Sequence, residues 1–293
     1  MKSLGYYPGC SLRGTASEYD KSLRAAAQTM GIELKVVPEW ICCGASSAHA
    51  VDHEAALCMA ADTLAKAKRG GIERVLAPCA MCYQRLASVS HEMKQQPGLA
   101  KRLAEALGES AELGMDQVRP MSILDLMAEA SDDEIKSWVK KPLTGLKVAC
   151  YYGCLLVRPA AVTGAVNVEA PQSMERVLRL IGAEPVRWSM AMECCGASFG
   201  VARTQVVIRQ GRRVFDAAKS AGADVFCLAC PMCHANLDMR QTTYGDGTAI
   251  PVLYLTQLLG LAFGLPETAL GLEGHFVPTQ PALAKIKQAP PAA

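Results

Sequence analysis

Ten of the thirteen cysteines in this 293-residue chain fall into two copies of one pattern. The first copy is Cys10, the adjacent pair Cys42-Cys43, and Cys79 with Cys82 in a Cys-x-x-Cys; the second is Cys154, Cys194-Cys195, and Cys230 with Cys233. Five thiols per copy are one more than a tetrahedral zinc or a cubane cluster takes up, so the pattern points to metal-sulfur chemistry at two matched sites. The vicinal pair sharpens this, because two neighbouring side chains on a short, stiff backbone chelate one tetrahedral ion poorly but can reach two irons. The alternative is that one cysteine of each pair is a small buried apolar residue, leaving four ligands for zinc or a cubane.

The recurrence is a duplication. At 13 cysteines in 293 residues, a frequency of roughly 0.044, five matched positions have chance odds on the order of one in several million before gaps are allowed. The offsets are 144 for the lone cysteine (154 minus 10), 152 for the pair (194 minus 42) and 151 for the Cys-x-x-Cys (230 minus 79). Flanking words repeat as well: Tyr6-Tyr7-Pro8-Gly9-Cys10 against Tyr151-Tyr152-Gly153-Cys154, and Cys42-Cys43-Gly44-Ala45-Ser46 against Cys194-Cys195-Gly196-Ala197-Ser198.

The elements that must position these thiols alternate. Short apolar runs at 4–7, 34–37 and 72–76 read as strands, and 17–30, 49–69 and 81–94 carry helical periodicity. The second half repeats strands at 147–152, 185–188 and 224–228 and helices at 172–181, 201–220 and 232–240, while 120–127 matches 251–259. The expected fold is α/β: two duplicated Rossmann-like domains, each a small parallel sheet with flanking helices, related by pseudo-twofold symmetry. The domains are expected at 1–143 and 144–293, with 131–145 as the connection and a Pro/Ala-rich tail from about 266 that is either mobile or a partner-gripping arm. Every ligand segment then follows a strand, where sites of open parallel sheets form. Gly9, Gly44, Gly153 and Gly196 sit beside the cysteines, where backbone must pass close to a bulky cofactor.

Composition narrows the class further. A chain that is 51% hydrophobic and 20% charged, with a formal charge of +2, gives no reason to invoke nucleic acid or an anionic membrane surface. The N-terminus reaches Pro8-Gly9-Cys10 without an apolar signal-like run, and the most apolar segment, 250–266, is shorter than a membrane span needs. Thirteen cysteines, an odd number, with Cys-x-x-Cys pairs argue for reduced thiols or metal ligands in a cytoplasm. Cys58, Cys150 and Cys227 stand outside the repeat and read as buried packing.

The pattern, its two copies and its near-complete coverage of the chain resemble the B subunit of heterodisulfide reductase, which carries two CCG domains. The words Tyr7-Pro8-Gly9-Cys10, Cys42-Cys43-Gly44, Pro78-Cys79-Ala80-Met81-Cys82, Tyr151-Tyr152-Gly153-Cys154-Leu155, Cys194-Cys195-Gly196 and Cys230-Pro231-Met232-Cys233 carry the likeness. It implies a noncubane [4Fe-4S] cluster on each set of five cysteines and a disulfide split between the two. It also implies a ferredoxin-like C subunit as electron donor, itself supplied by a flavin-containing A subunit. Two one-electron centres suit a two-electron bond cleavage, since a single donor would leave a thiyl radical waiting. His49 and His234, near Cys43 and Cys233, are candidate proton donors, and Arg13 and Arg158 candidates for an anionic substrate tail.

A different class competes with disulfide reduction: an electron-relay CCG subunit of another oxidoreductase, with zinc or a single cluster in place of one noncubane centre. Zinc is weighed for the N-terminal half. Ferredoxin motifs of the Cys-x-x-Cys-x-x-Cys-x-x-x-Cys-Pro kind, usual in such relay chains, are absent from the sequence.

Overall fold

The computed structural model describes residues 2–45, 48–244 and 247–287, so Ser46 of the first Cys-Cys-Gly-Ala-Ser word lies outside the described residues. Two four-stranded sheets organise the chain. In the first, β1 (Lys2–Tyr6), β2 (Ile32–Val36), β3 (Arg74–Leu76) and β4 (Arg119–Met121) lie in the order β2-β1-β3-β4. In the second, β5 (Lys147–Cys150), β6 (Glu184–Pro185), β7 (Val225–Leu228) and β8 (Val252–Tyr254) repeat it as β6-β5-β7-β8. All pairings among the described residues are parallel, with Tyr6 opposite Leu76 and Cys150 opposite Cys227 in equivalent registers.

Parallel strands are covered on both faces and therefore read as continuous apolar runs. β7 is buried at all four positions, and Tyr6, Val75 and Leu76 are fully buried. The strand order reverses direction between β1 and β3, and again between β5 and β7, which opens a crevice at the carboxyl ends of those strands.

The halves meet helix on helix. Helix Ser17–Thr29 packs on helix Leu255–Ala262, and helix Ser173–Leu180 packs on helix Ile123–Ala128, as a pseudo-twofold axis requires. At the first contact the Ser22 and Thr256 hydroxyls are 2.7 Å apart, and the Tyr19 and Tyr254 rings stack with centroids 4.0 Å apart. Both rings are fully buried, so this contact is continuous core.

The stretch 131–145 is more than a linker. Ser131 accepts from the Glu134 amide while the Glu134 carboxylate takes the Ser131 N–H, a reciprocal cap that starts helix Asp132–Trp138. Arg176 of the second half then donates to the Ala130 and Met127 carbonyls, pinning this segment across the interface. The expected strand at 185–188 shrinks to Glu184–Pro185 at the sheet edge; the Glu184 and Val186 amides donate to the Leu146 and Val148 carbonyls, so the Pro185 nitrogen faces away from β5.

The segment beyond residue 266 packs, where a mobile tail was one expectation. Helix Glu267–Leu270 lies on helix Ser17–Thr29, and the chain crosses it at Gly271, where a Cβ would meet the Glu18 backbone at 2.8 Å. Further on, the Phe276 and Val277 amides donate to the Asp238 carboxylate at 2.7 and 3.1 Å, and the Lys287 amide donates to the Thr144 carbonyl. This strap ties both halves together; residues 288–293 lie outside the described residues. Among the described residues, no helix is long and apolar enough to cross a membrane.

The strap carries a buried imidazole. The Gln257 amide has its oxygen committed to the Tyr254 N–H and one hydrogen to the Leu270 carbonyl, so its other hydrogen meets His275 Nε2 at 2.8 Å. His275 Nε2 therefore accepts and the ring is neutral; His234 Nε2 lies 2.9 Å from His275 Nδ1 and 3.0 Å from the Val252 carbonyl. Burial holds the His275 pKa down at about 4, against the weaker opposing charge of Glu273. An unfolded histidine titrates near 6.5, so as pH falls below that value the unfolded chain gains a proton that the folded chain refuses, and stability drops. Between pH 6.5 and pH 5 the loss amounts to about 2 kcal/mol. Asp238, pushed up to about 6 by burial, works with opposite sign between its unfolded value and 6, losing stability as pH rises. Comparing urea midpoints of the wild type and H275Q isolates the histidine: the stability gap is expected to narrow by about 2 kcal/mol between pH 6.5 and pH 5, and a gap independent of pH would contradict this protonation state.

Candidate metal centres

All ten repeat cysteines lie just beyond the carboxyl ends of adjacent strands. Cys10 follows β1 in the short helix Gly9–Leu12, Cys42 and Cys43 follow β2, and Cys79 caps helix Ala80–Gln95 after β3, with Cys82 in its first turn. Cys154, Cys194-Cys195, and Cys230 with Cys233 repeat this after β5, β6 and β7, with Cys230 capping helix Pro231–Asp238.

Within each set the burial is graded. Cys43, Cys79 and Cys82, and likewise Cys195, Cys230 and Cys233, are at most 6% exposed. Cys10, Cys42 and Cys194 are exposed and Cys154 is half-buried, so each set has a buried floor and an open side. Cys43 and Cys82 sulfurs are 3.4 Å apart, and matching thiol contacts join Cys195 to Cys233 and Cys154 to Cys194. The sets also approach each other: Cys79 of the first half and Cys230 of the second lie close enough across the interface to shift each other's ionisation. Beside it, a small cavity at the second set is lined by Cys154, Cys194, Cys230 and Cys233 together with Ala80 and Met81 of the first half.

Crowded thiols cannot all ionise alone. The thiol bond from Cys154 and the Gly196 amide, 3.3 Å from its sulfur, bring Cys194 down to about 6. Contact with Cys82 brings Cys43 down to about 7. Their neighbours move the other way: Cys82 is raised far above the usual thiol range by Cys43 and Cys79, and Cys233 by Cys195 and Cys230. Such a set becomes fully deprotonated only when a cationic centre takes up the charge.

The backbone leaves room for a large group. Gly9 and Gly153 both have φ of +64°, and a Cβ would sit 3.0 Å from the Cys82 sulfur and 3.3 Å from the Cys233 sulfur. Gly44 and Gly196 also hold positive φ, at the turns that follow the pairs. Behind each set a tyrosine braces the pair loop: Tyr7 donates to the Ile41 carbonyl and Tyr151 to the Glu193 carbonyl, both at 2.7 Å. The donor chemistry and these glycine gaps fit five-thiolate iron-sulfur clusters.

The histidine candidates separate. His49 is exposed in the short helix Ala48–Val51, beyond the first pair loop. His234, although adjacent to Cys233, is 6% exposed, stacks on Tyr254 at 4.6 Å and joins His275, outside the cavity lining. Successive helical residues diverge by about 100°, so a neighbour of an inward cysteine faces elsewhere. His234, Asp238 and His275 place ligand atoms within 4.8 Å of one another, but a metal on His275 Nδ1 would force a hydrogen onto Nε2 against the Gln257 donor. Arg13 is exposed, and Arg158 pairs with Glu169 at 2.6 Å. Cys150 and Cys227 are fully buried and Cys58 is half-buried. Asn236, which sequence reasoning missed, reaches Cys195 Sγ at 3.5 Å; its spacing of three from Cys233 on one helix was the available signal.

Residues 4–87 and 148–238 match the cysteine-rich domain family designated CCG. The chain belongs to the CCG family, with two copies of the domain, and stands among heterodisulfide reductase B subunits. This CCG protein is 30% identical over 298 residues to the B subunit of the ferredoxin/F420H2-dependent CoB-CoM heterodisulfide reductase of Methanosarcina acetivorans, covering 98% of this chain and 97% of that one. It is 32% identical over 281 residues to the 8-methylmenaquinol:fumarate reductase membrane anchor subunit of Wolinella succinogenes, covering 94% and 98% of the two chains. The crystal structure of a hypothetical protein from Helicobacter pylori shares the fold, with a TM-score of 0.75 and 15% identity over 94% of this chain; the CCG protein spans about half (52%) of that longer chain.

Proposed function

We propose that each set of five cysteines holds a noncubane [4Fe-4S] cluster and that the chain is the catalytic subunit that reduces a disulfide to two thiols, or runs the reverse oxidation, in a heterodisulfide reductase-type complex. The observation that carries this is the facing of the two thiol sets: Cys79 and Cys230 shift each other's ionisation, and Ala80 and Met81 of the first half line the cavity at the second set. When bound, the two clusters supply single electrons at neighbouring points, matching the two electrons that a disulfide needs. The remaining work falls to the chain. The buried cysteines fix the floor of each site, Gly9 and Gly153 keep space clear beside Cys82 and Cys233, and the exposed Cys10, Cys42 and Cys194 mark the open side for a substrate.

The balance is one disulfide, two electrons and two protons giving two thiols. The electron source we propose is a ferredoxin-like C subunit, itself supplied by a flavin-containing A subunit, in a cytoplasmic complex. Anaerobic turnover of a small disulfide by the iron-loaded chain with reduced methyl viologen, counting free thiols, tests this directly. Two thiols released per two viologens oxidised supports it, and absence of thiol release by an iron-replete chain overturns it.

A second function has its own support. The Wolinella relative is named as a subunit of a quinol:fumarate reductase, which favours an electron relay. A relay predicts reversible cluster reduction with no disulfide turnover. Zinc in the N-terminal half predicts iron in the second half alone.

A further inference from the structure

One turn beyond each Cys-x-x-Cys the two halves part. Cys79 and Cys230 set an offset of 151, which puts Arg85 and Val89 of helix Ala80–Gln95 where the second half has Asn236 and Arg240. Asn236 is 5% exposed, and its side-chain amide donates to Cys195 Sγ at 3.5 Å and to the Cys195 carbonyl at 3.4 Å. Its Oδ1 accepts from Arg240 Nε at 3.2 Å. An arginine only donates, so this contact fixes which end of the amide is oxygen and leaves the nitrogen on the cysteine side. At Cys43, the first-half counterpart of Cys195, the sulfur meets the Cys82 thiol at 3.4 Å, and among the described residues no side-chain amide donates to it.

The amide is also held from behind. The Tyr244 hydroxyl donates to the Asn236 carbonyl at 3.1 Å, and it reaches there because residue 211 is glycine: a Cβ would meet the Tyr244 oxygen at 2.2 Å. Cys195 is 1% exposed, so its sulfur depends on protein donors. In such a buried place a donor aimed at sulfur favours the state that carries more negative charge there, and does so more strongly than in water. Helix Ala80–Gln95 forms with Arg85 at the same place, so the fold does not require this amide.

We propose that Asn236, oriented by Arg240, is a positioning residue that raises the reduction potential of the second centre by donating to the Cys195 sulfur. The role rests on the iron-sulfur function proposed above and not on disulfide turnover. The electron comes from the one-electron donor. No bond in the protein forms or breaks, no proton moves, and the amide keeps both its hydrogens as negative charge on the sulfur grows. Hydrogen bonds to sulfur are a general lever on such potentials, and this one acts on the second centre alone.

Anaerobic redox titration of the iron-loaded chain, followed by electron paramagnetic resonance, tests this with N236L and N236D. Both are expected to keep wild-type iron and sulfide. N236L removes the donor and is expected to shift the second centre about tenfold against reduction, the size of one hydrogen bond to a charged group and about 59 mV for a one-electron couple. N236D, kept ionised by the Arg240 guanidinium, adds a negative charge and is expected to shift that centre further in the same direction, although it changes the packing less. The other centre is expected to hold its potential in both variants, and R85L to leave the second centre at its wild-type value. An unmoved potential in N236L and N236D, an equal shift of both centres, a larger shift in N236L than in N236D, or loss of iron in both would overturn the tuning role. A wild-type chain without any iron-sulfur centre would sink the cluster assignment and the tuning role together, whereas two centres that titrate alike in wild type and variants would sink the tuning role alone.

Discussion

Replacing Cys79 or Cys230 by alanine is expected to remove about half of the bound iron and to disturb the spectrum of the centre that remains. Each is a buried member of its own five-thiol set, and metal affinity at such sites depends on every deprotonated ligand. Each also lies near enough to the other across the interface to shift its ionisation, so the surviving set loses a thiol neighbour. The C58A variant is the control: Cys58 sits in helix His53–Arg69, outside both sets, and its loss is expected to leave iron and spectrum unchanged. Iron analysis with visible and electron paramagnetic resonance spectra checks the outcome. Equal losses in all three variants would show that the effect is general instability.

The second large effect concerns the interface. Tyr254→Ala is expected to cost about 3–5 kcal/mol, the range for emptying a buried aromatic site. Tyr254 stacks on Tyr19 of the other half at 4.0 Å and on His234 at 4.6 Å, and it is fully buried. The loss is expected in a single unfolding transition involving both halves, because the helices that cover each sheet pack on helices of the other half. Tyr254→Phe keeps the stack and is expected to lose less than about 1.5 kcal/mol, as volume-conserving core changes do. Urea unfolding followed by tryptophan fluorescence and far-ultraviolet circular dichroism measures both. Two separate transitions in the wild type would contradict the shared core.

The thiol sites were legible in the sequence because their signal is local and doubled. Strand runs such as 72–76 and 224–228 end just before a Cys-x-x-Cys, so period and spacing together placed the ligands at strand ends. The capping box at Ser131 and Glu134 was equally local, but the charge run around it read as a solvated linker. What stayed hidden depends on contacts between distant residues. Nothing in the proline- and alanine-rich C-terminal stretch shows that Gly271 will cross Glu18 or that Asp238 will take two strap amides. Adjacency to Cys233 in sequence did not show that His234 would stack on Tyr254, because a helix turns neighbours apart.

The most direct measurement is anaerobic purification followed by iron, sulfide and zinc analysis, with electron paramagnetic resonance recorded with and without a small thiol. Paired reduction predicts iron and sulfide for two clusters, no zinc, and spectra in which both centres respond to the thiol. Zinc without iron would contradict every redox function for this chain, and two iron-sulfur centres of which only one responds would contradict cleavage of a disulfide between them.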